Sequence, residues 1–211
     1  HNPVTQKERL RKLESLRWKL QQHRKKTRQI PRDDKQLASL NGYALAVLSA
    51  AVKDSKYYAE PADRIATYLK KLWKKSQLEK GLDDHGKSLG AGSMGDYAAV
   101  ALGLLKWAEA SGDKDSTKIG RELLSASWEK FYDVKGWQPL ETSLLPNPIF
   151  QKHLQDSPEP SAETLLLQAT ALYLSTESNA TLKQRLEFNL SRVTQGMLND
   201  PFYYATLVAF A

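Results

Sequence analysis

Three segments of this chain share one design, and their repetition narrows the folds open to it. They read NGYALAVLSAAVKDSKY from residue 41, GDYAAVALGLLKWAEASGDK from residue 95 and SAETLLLQATALYLSTESN from residue 161. Each opens on polar residues, continues as a helix of small and apolar residues, and closes in a polar turn before a more charged helix. Tyr43 and Tyr97 align 54 residues apart, and the next unit follows about 65 residues later. Periods of this size indicate stacked helical hairpins.

The predicted fold class is all-α, because helical periodicity dominates and no segment alternates polar and apolar residues for long. The small-residue helices should form an inner layer and the charged helices an outer layer, since alanine and glycine allow close approach. A ring or arc of such hairpins leaves the polar N-terminal ends facing a common cleft. We predict about eight helices, over residues 5–26, 34–52, 61–76, 96–110, 116–131, 161–175, 180–198 and from 201 to the end.

Two long loops interrupt the helices. Residues 81–95 hold five glycines, but their spacing is neither GxGxxG nor GxxxxGK[ST], so a phosphate-binding loop is not predicted. Residues 132–160 hold five prolines and include Trp137. An irregular segment of this length in a compact domain is typically functional or disordered.

The positive charge is concentrated near the N-terminus. The chain has a net charge of +7, yet residues 7–32 alone carry eleven basic and two acidic side chains, a balance of +9. Leucines at 10, 13, 16 and 20 follow helical spacing, which favours a solvated face of a basic helix over residues 1–30. Such a segment can also bind phosphates. Because no nucleic-acid motif accompanies it, nucleic acid is the less favoured partner.

Composition excludes several kinds of site. Cysteine is absent, which excludes disulfides, thiolate nucleophiles and zinc–cysteine centres within these residues. The four histidines are scattered without ligand spacing, so we predict no metal and no cofactor. No apolar run reaches the roughly 18 to 20 residues that span a bilayer. We expect a soluble protein, cytoplasmic or periplasmic, since a signal removed earlier would leave no trace.

Three blocks of sequence resemble a known family. They are RKKTRQIPRDDKQLASLNGYALAVLSAA, GDYAAVALGLLKWAEASGD and QDSPEPSAETLLLQATALYL. In order and spacing they are similar to the large proteins that join an N-terminal thioredoxin-like domain to a six-hairpin (α/α) toroid, including the spermatogenesis-associated thioredoxin-like proteins and their bacterial relatives. The resemblance covers residues 17–175 and implies an (α/α) toroid of the six-hairpin glycosidase-like superfamily.

The chain also departs from that family. Leu40 stands where the family has a tryptophan, and its P-S-G-N-S motif is here Pro160 to Thr164, with Glu163 in place of the asparagine. No thioredoxin-like domain is present, and eight helices make about four hairpins. We therefore expect residues 1–211 to be one all-α domain and a fragment of a larger, incomplete toroid. A thioredoxin-like domain or another protein is then a possible partner.

The resemblance implies an inner-helix cleft suited to a carbohydrate-like or other polar ligand, with no established reaction. One alternative is a glycoside hydrolase or sugar epimerase that uses cleft carboxylates, and another is a non-enzymatic scaffold or interaction module. Whether the domain is an enzyme stays open at this point. These are analogies from fold, because unrelated functions share the same architecture.

Carboxylates at the inner-helix starts are the catalytic candidates. Glycoside cleavage needs two of them, about 5 to 10 Å apart, and the helix starts offer Asp34, Asp96 and Glu163. The alternative is that these acids cap the helices and complement their dipoles. The predicted ligand-binding residues are Lys35, Asn41, Tyr43, Tyr97 and Trp137.

The Asn41-Gly42 pair is the feature that capping does not explain. An amide on an otherwise apolar stripe must find a partner, because burying it unpaired costs about 1 to 3 kcal/mol. The sequence leaves two interpretations of equal weight: the pair lines the cleft, or it lies in a helix contact.

Overall fold

A computed structural model describes residues 3–27, 33–133, 135–141 and 154–210. The chain divides into two compact units, His1–Asp34 and Lys35–Ala211. The first contains helix α1, Pro3–Thr27, whose last turn carries three basic residues. Cations there interact favourably with the partial negative charge at a helix C-terminus. The leucines at positions 10, 13, 16 and 20 of α1 are 49–57% exposed.

The second unit is built from eight α-helices within its described residues. They are α2 Ala38–Ala51, α3 Ala59–Leu72, α4 Met94–Ser111, α5 Lys114–Phe131, α6 Ala162–Leu174, α7 Ala180–Leu190, α8 Gln195–Leu198 and α9 Ala205–Val208. A short 3-10 turn, Lys56–Tyr58, precedes α3. The all-α prediction is confirmed, while most helix starts shift by two to four residues and the last two predicted helices shorten. None of the described helices is both long enough and apolar enough to cross a membrane.

Three small antiparallel ladders lie between the helices. Strand β1 (Gln36–Leu37) pairs with β4 (Gly81–Leu82), β2 (Trp73–Lys74) with β3 (Gln77–Leu78), and β5 (Tyr132–Asp133) with β6 (Gly136–Trp137). Two-residue strands are too short to show alternation in the sequence, which is why none was predicted. The β2–β3 turn also ends α3 early, because Lys75 and Ser76 have positive φ angles that an α-helix cannot contain.

Helix α4 is the centre of the second unit. It packs against α2 on one side and α6 on the other, while α3 and α5 pack on the outside of these helices. Residues 97–105 of α4 are all buried, as a helix surrounded by neighbours requires. The small-residue helices therefore form the inner layer that the sequence predicts.

Glycines allow α2 and α4 to approach closely. A Cβ atom on Gly42 would lie 2.6 Å from the backbone carbonyl carbon of Ala99, and one on Gly103 would lie 2.6 Å from the carbonyl oxygen of Gly42. Real Cβ atoms do not approach so near, so this crossing requires glycine on both helices. Of the two interpretations of Gly42, the structure shows the helix contact.

Candidate functional site

A cleft of about 600 Å³ opens where the three inner helices begin. Tyr43 reaches it from the second turn of α2, Ser93 to Gly95 from the start of α4, and Ala162 and Glu163 from the start of α6. The remaining wall is loop, contributed by Pro139, Leu140 and residues between 155 and 161. Each inner hairpin thus supplies part of one concave surface.

The start of α4 is held by a reciprocal cap. Both the backbone N–H and the hydroxyl of Ser93 donate to Oδ2 of Asp96, each at 2.8 Å. The other carboxylate oxygen, Oδ1, accepts from the backbone N–H of Ser39 at 3.3 Å. Asp96 is 3% exposed, and its carboxylate joins the first turn of α2 to the first turn of α4. This pairing fixes two of the cleft's three helix ends.

The start of α6 is held by a second carboxylate. Ser161 is the N-cap, and its hydroxyl accepts from the N–H of Thr164 at 3.3 Å, the bond expected of a serine there. Asp156 accepts from the N–H of Ser161 at 2.7 Å through Oδ1 and from the N–H of Thr206 at 2.8 Å through Oδ2. The loop before α6 is therefore tied both to that helix and to α9.

Glu163 is the buried acid of the cleft. Its residue is 5% exposed, and Oε1 has no hydrogen-bond partner among the described residues. Burial, which disfavours the charged form, raises the pKa of Glu163 to about 8, although the positive charge of Arg192 opposes this shift. At neutral pH the carboxyl is therefore mostly protonated and can donate a hydrogen bond.

A second, smaller cavity of about 70 Å³ lies on another side of Glu163. Its walls are Glu163, Asn189, Arg192, Leu154 and Met197. The Asn189 amide is held in place, because Oδ1 accepts from the indole N–H of Trp137 at 3.2 Å and Nδ2 donates to the carbonyl of Arg185 at 2.9 Å. The environment of Glu163 is thus set partly by residues that come 26 or more positions after it in the chain.

Removing the nearby cation should move the titration of Glu163. We expect Arg192→Met to raise the pKa of Glu163 further, because the carboxylate loses a nearby cation that favours its charged form. The measurement is an NMR titration of carbon-13-labelled glutamate carboxyls. Arg185→Met, which alters a cation packed over Trp128 at 5.6 Å, is the control and should leave the pKa unchanged. Equal pKa values in wild type and Arg192→Met would contradict the electrostatic contact.

Tyr43 faces the cleft as a neutral phenol. Burial, then the negative charges of Glu159 and Asp96, raise the pKa of its hydroxyl to about 12. The group consequently stays protonated over the working pH range and offers one donor and one acceptor to a ligand.

Comparison with known proteins bears on the fold. No family model matches the sequence, and no curated protein matches it. Among solved structures, the cellobiose 2-epimerase from Spirochaeta thermophila DSM 6192 is similar, with a TM-score of 0.59 and 16% sequence identity over 80% of this chain and 43% of the epimerase chain.

The epimerase shares an architecture with this chain. The predicted all-α, toroid-like (α/α) fold class is confirmed by this likeness. This chain spans less than half of the epimerase chain's length. At so low an identity the likeness shows the fold alone, and the resemblance to the thioredoxin-domain family stays a prediction.

The predicted catalytic residues fall in different places. Glu163 lies in the cleft wall, and Asp96 lies directly behind Ser93 of that wall. Asp34 is exposed and belongs to the N-terminal unit. Its expected place at the start of the second helix is wrong, because α2 begins at Ala38 with Leu37 as the N-cap. The preceding residues extend into β1 instead. The catalytic roles themselves stay predictions.

The predicted ligand-binding residues also lie in different parts of the structure. Tyr43 lines the cleft, whereas Lys35 is exposed outside its wall. The amide of Asn41 donates to the carbonyl of Leu37 at 2.8 Å within its own helix. Tyr97 is 1% exposed, and its hydroxyl accepts from the N–H of Leu78 at 3.0 Å.

Trp137 lies in the core. It is 1% exposed and packs against Trp128 and Tyr132, with ring centroids 4.8 and 4.5 Å away. The stacking face expected of it for a ligand is therefore turned toward other aromatic rings. The reason is β6, which pairs Trp137 with Tyr132 and directs the indole inward.

Sequence reasoning missed Asp156, Glu159 and Arg192. The two acids stand in the DSPEP run just before the Ser161 cap, and that position was the available signal. No signal in the sequence pointed to Arg192, because only the packing of α6 and α7 brings it near Glu163. Within the described ranges, no group of three His, Cys, Asp or Glu side chains could hold a metal ion.

Proposed function

We propose that the cleft binds a saccharide and that Glu163 acts on it as a proton donor. The observation that carries this proposal is the state of Glu163, a buried carboxyl with an unpartnered oxygen in the wall of a 600 Å³ cleft. Leaving a buried polar atom unpaired costs folding free energy, on the order of 1 to 3 kcal/mol. Such a cost is common where a ligand supplies the missing partner.

The size and lining of the cleft suit a hydroxyl-rich molecule. Its volume falls within the roughly 300 to 1,000 Å³ of small-molecule sites. The wall offers hydroxyls from Tyr43 and Ser157, the amide of Gln155 and several carboxyl oxygens. This mixture of donors and acceptors matches sugar hydroxyls, each of which both donates and accepts.

Acid–base chemistry follows from the pKa of Glu163. A general acid works best when its pKa lies near the operating pH, because it is then protonated yet able to release the proton. A glutamate with a pKa of about 8 meets that condition. Its target is an oxygen of the sugar, a glycosidic oxygen in a hydrolase or a carbonyl oxygen in an epimerase.

The fold relative supports a carbohydrate ligand, since its name is cellobiose 2-epimerase. An epimerase-like or glycosidase-like role is therefore better supported than a scaffold role. The hydrolase version also needs an ionised carboxylate facing Glu163 across the ligand. Glu159 is the exposed acid of the cleft that could serve.

Saccharide binding tests the proposal directly. We expect cellobiose or glucose, titrated by NMR, to shift the amide signals of Gly95, Ala162 and Glu163. Tyr43→Phe should weaken binding roughly 3- to 10-fold, because it removes one hydrogen bond worth about 0.5 to 1.5 kcal/mol. Glu163→Gln should slow any turnover at least about 100-fold, the usual contribution of a general acid.

A matched control separates cleft effects from general ones. Tyr57→Phe makes the same chemical change at a residue that is 80% exposed and outside the cleft. It should leave affinity unchanged. Absence of binding across a panel of neutral, amine-bearing and acidic sugars would overturn the proposed function.

A further inference from the structure

The described residues that line the cleft carry charge of one sign only. Three of them are acids, Asp156, Glu159 and Glu163, and none is a lysine, arginine or histidine. The protein as a whole has a net charge of +7. Because residues 7–32 alone carry a balance of +9, all other residues sum to −2, and the acidic cleft lies in this part of the chain.

The three acids differ in what already holds them. Asp156 already accepts hydrogen bonds from two backbone N–H groups. Glu159 is exposed, and its charge is felt by the Tyr43 hydroxyl. Glu163 is 5% exposed, with an unpartnered Oε1. Because Glu163 lines the cleft and its Oε1 has no partner among the described residues, the cluster is not a set of caps alone.

Among the described residues, no cation lines the cleft to neutralise it. Tyr43 is uncharged over the working pH range, and Asp96 adds a further negative charge behind Ser93. Arg192 lines the smaller cavity, as Glu163 also does, and is not among the described residues of the cleft wall. The described lining, which has acidic side chains and no basic one, therefore favours a cationic group over an anionic one, and Glu163 adds to this preference as the pH rises toward its pKa of about 8.

We infer that this cleft prefers a saccharide bearing an amine, with Glu159 selecting it, and rejects uronic acids and sugar phosphates. The inference rests on the proposed saccharide site and names its substrate class. An ammonium group beside Glu159 gains a direct charge interaction, whereas a carboxylate or phosphate there meets two like charges. Discrimination of this kind depends as much on the repelled ligands as on the favoured one.

Four sugars of matched ring structure test the preference. We expect isothermal titration at pH 6, where amines are protonated, to give glucosamine at least about fivefold tighter binding than glucose. Glucuronate and glucose 6-phosphate should bind at least about tenfold more weakly than glucose. The preference should shrink in 0.5 M salt, because screening shortens the range of charge interactions at an open site.

Substitution of Glu159 tests its role as the selecting residue. Glu159→Gln should weaken glucosamine binding more than glucose binding and so reduce the ratio of their affinities to near one. Glu187→Gln, the same change at an exposed acid of α7, should leave that ratio at the wild-type value. An unchanged ratio in Glu159→Gln would overturn the assignment of Glu159.

The outcomes distinguish this inference from the proposed function. If none of the four sugars binds, the saccharide site itself fails. If glucose binds but glucosamine binds no tighter, or if glucuronate binds as well as glucose, the site stands and the charge preference fails.

Discussion

Glu163→Gln is expected to stabilise the folded protein above pH 8 by on the order of 3 to 5 kcal/mol in the free energy of unfolding relative to wild type. In the wild type only 5% of Glu163 is exposed, and Oε1 of its carboxylate has no hydrogen-bond partner among the described residues. Glutamine has nearly the same shape and no charge. The variant therefore avoids the cost of burying an anion.

The direction of this effect follows from the pKa of Glu163. It is raised from 4.5 to about 8 in the folded protein, so the folded state binds more protons than the unfolded state between these values. Protonated Glu163 therefore makes its full contribution to the free energy of unfolding below pH 4.5, and this contribution is lost as the pH rises through about 8. The glutamine variant does not titrate there, so the two stability curves should coincide at pH 4 to 5 and separate as the pH rises.

Urea unfolding followed by circular dichroism from pH 4 to pH 9 measures the two curves. Their difference isolates Glu163 from other groups such as Asp113, whose pKa is lowered to about 2 although burial works against it, because its bonds to Lys70 and Ser116 dominate. Glu187→Gln is the control, since an exposed surface change usually alters stability by less than about 0.5 kcal/mol. Parallel curves for wild type and Glu163→Gln would mean that Glu163 is not a buried, proton-binding group.

Gly42→Val is expected to destabilise the protein by about 3 kcal/mol or more. The new Cβ would meet backbone atoms of Ala99 and Val100 at 2.6 to 2.8 Å, and a helix backbone cannot yield as a flexible side chain can. Helices α2 and α4 would have to separate, which opens voids along a close-packed contact. Gly42→Ala should cost less, about 1 to 2 kcal/mol, because alanine regains about 1 kcal/mol of helix propensity.

Gly95→Ala is the matched control for this prediction. It also lies in an inner helix, but its added Cβ would have no neighbour nearer than 3.8 Å. We expect a stability change of less than about 1 kcal/mol. Thermal unfolding should show Gly42→Val melting roughly 6 to 12 °C below wild type, at 2 to 4 °C per kcal/mol for a protein of this size. A wild-type melting temperature for Gly42→Val would show that α2 and α4 do not cross closely.

The sequence predicted the helix starts in the site well, because a helix cap depends only on residues that are close together in the chain. Asp96 and Glu163 were expected at the starts of two inner helices, and they lie in the first turns of α4 and α6, where Asp96 completes the cap. Caps of this kind need only a hydroxyl or carboxylate within three residues of a free N–H. The same reasoning gave a wrong helix start at Asp34, because the backbone after Asp34 enters a strand that pairs with residues 81–82.

The sequence alone determined the all-α class and the inner helices, since helical periodicity and small side chains are properties of contiguous residues. It also named Tyr43 and Glu163. Only the tertiary structure decided that these two share a cleft and that Trp137 does not. It also brought Arg192 into the wall of the same small cavity as Glu163. Those outcomes depend on burial and on charges between residues distant in the chain, which local patterns do not encode.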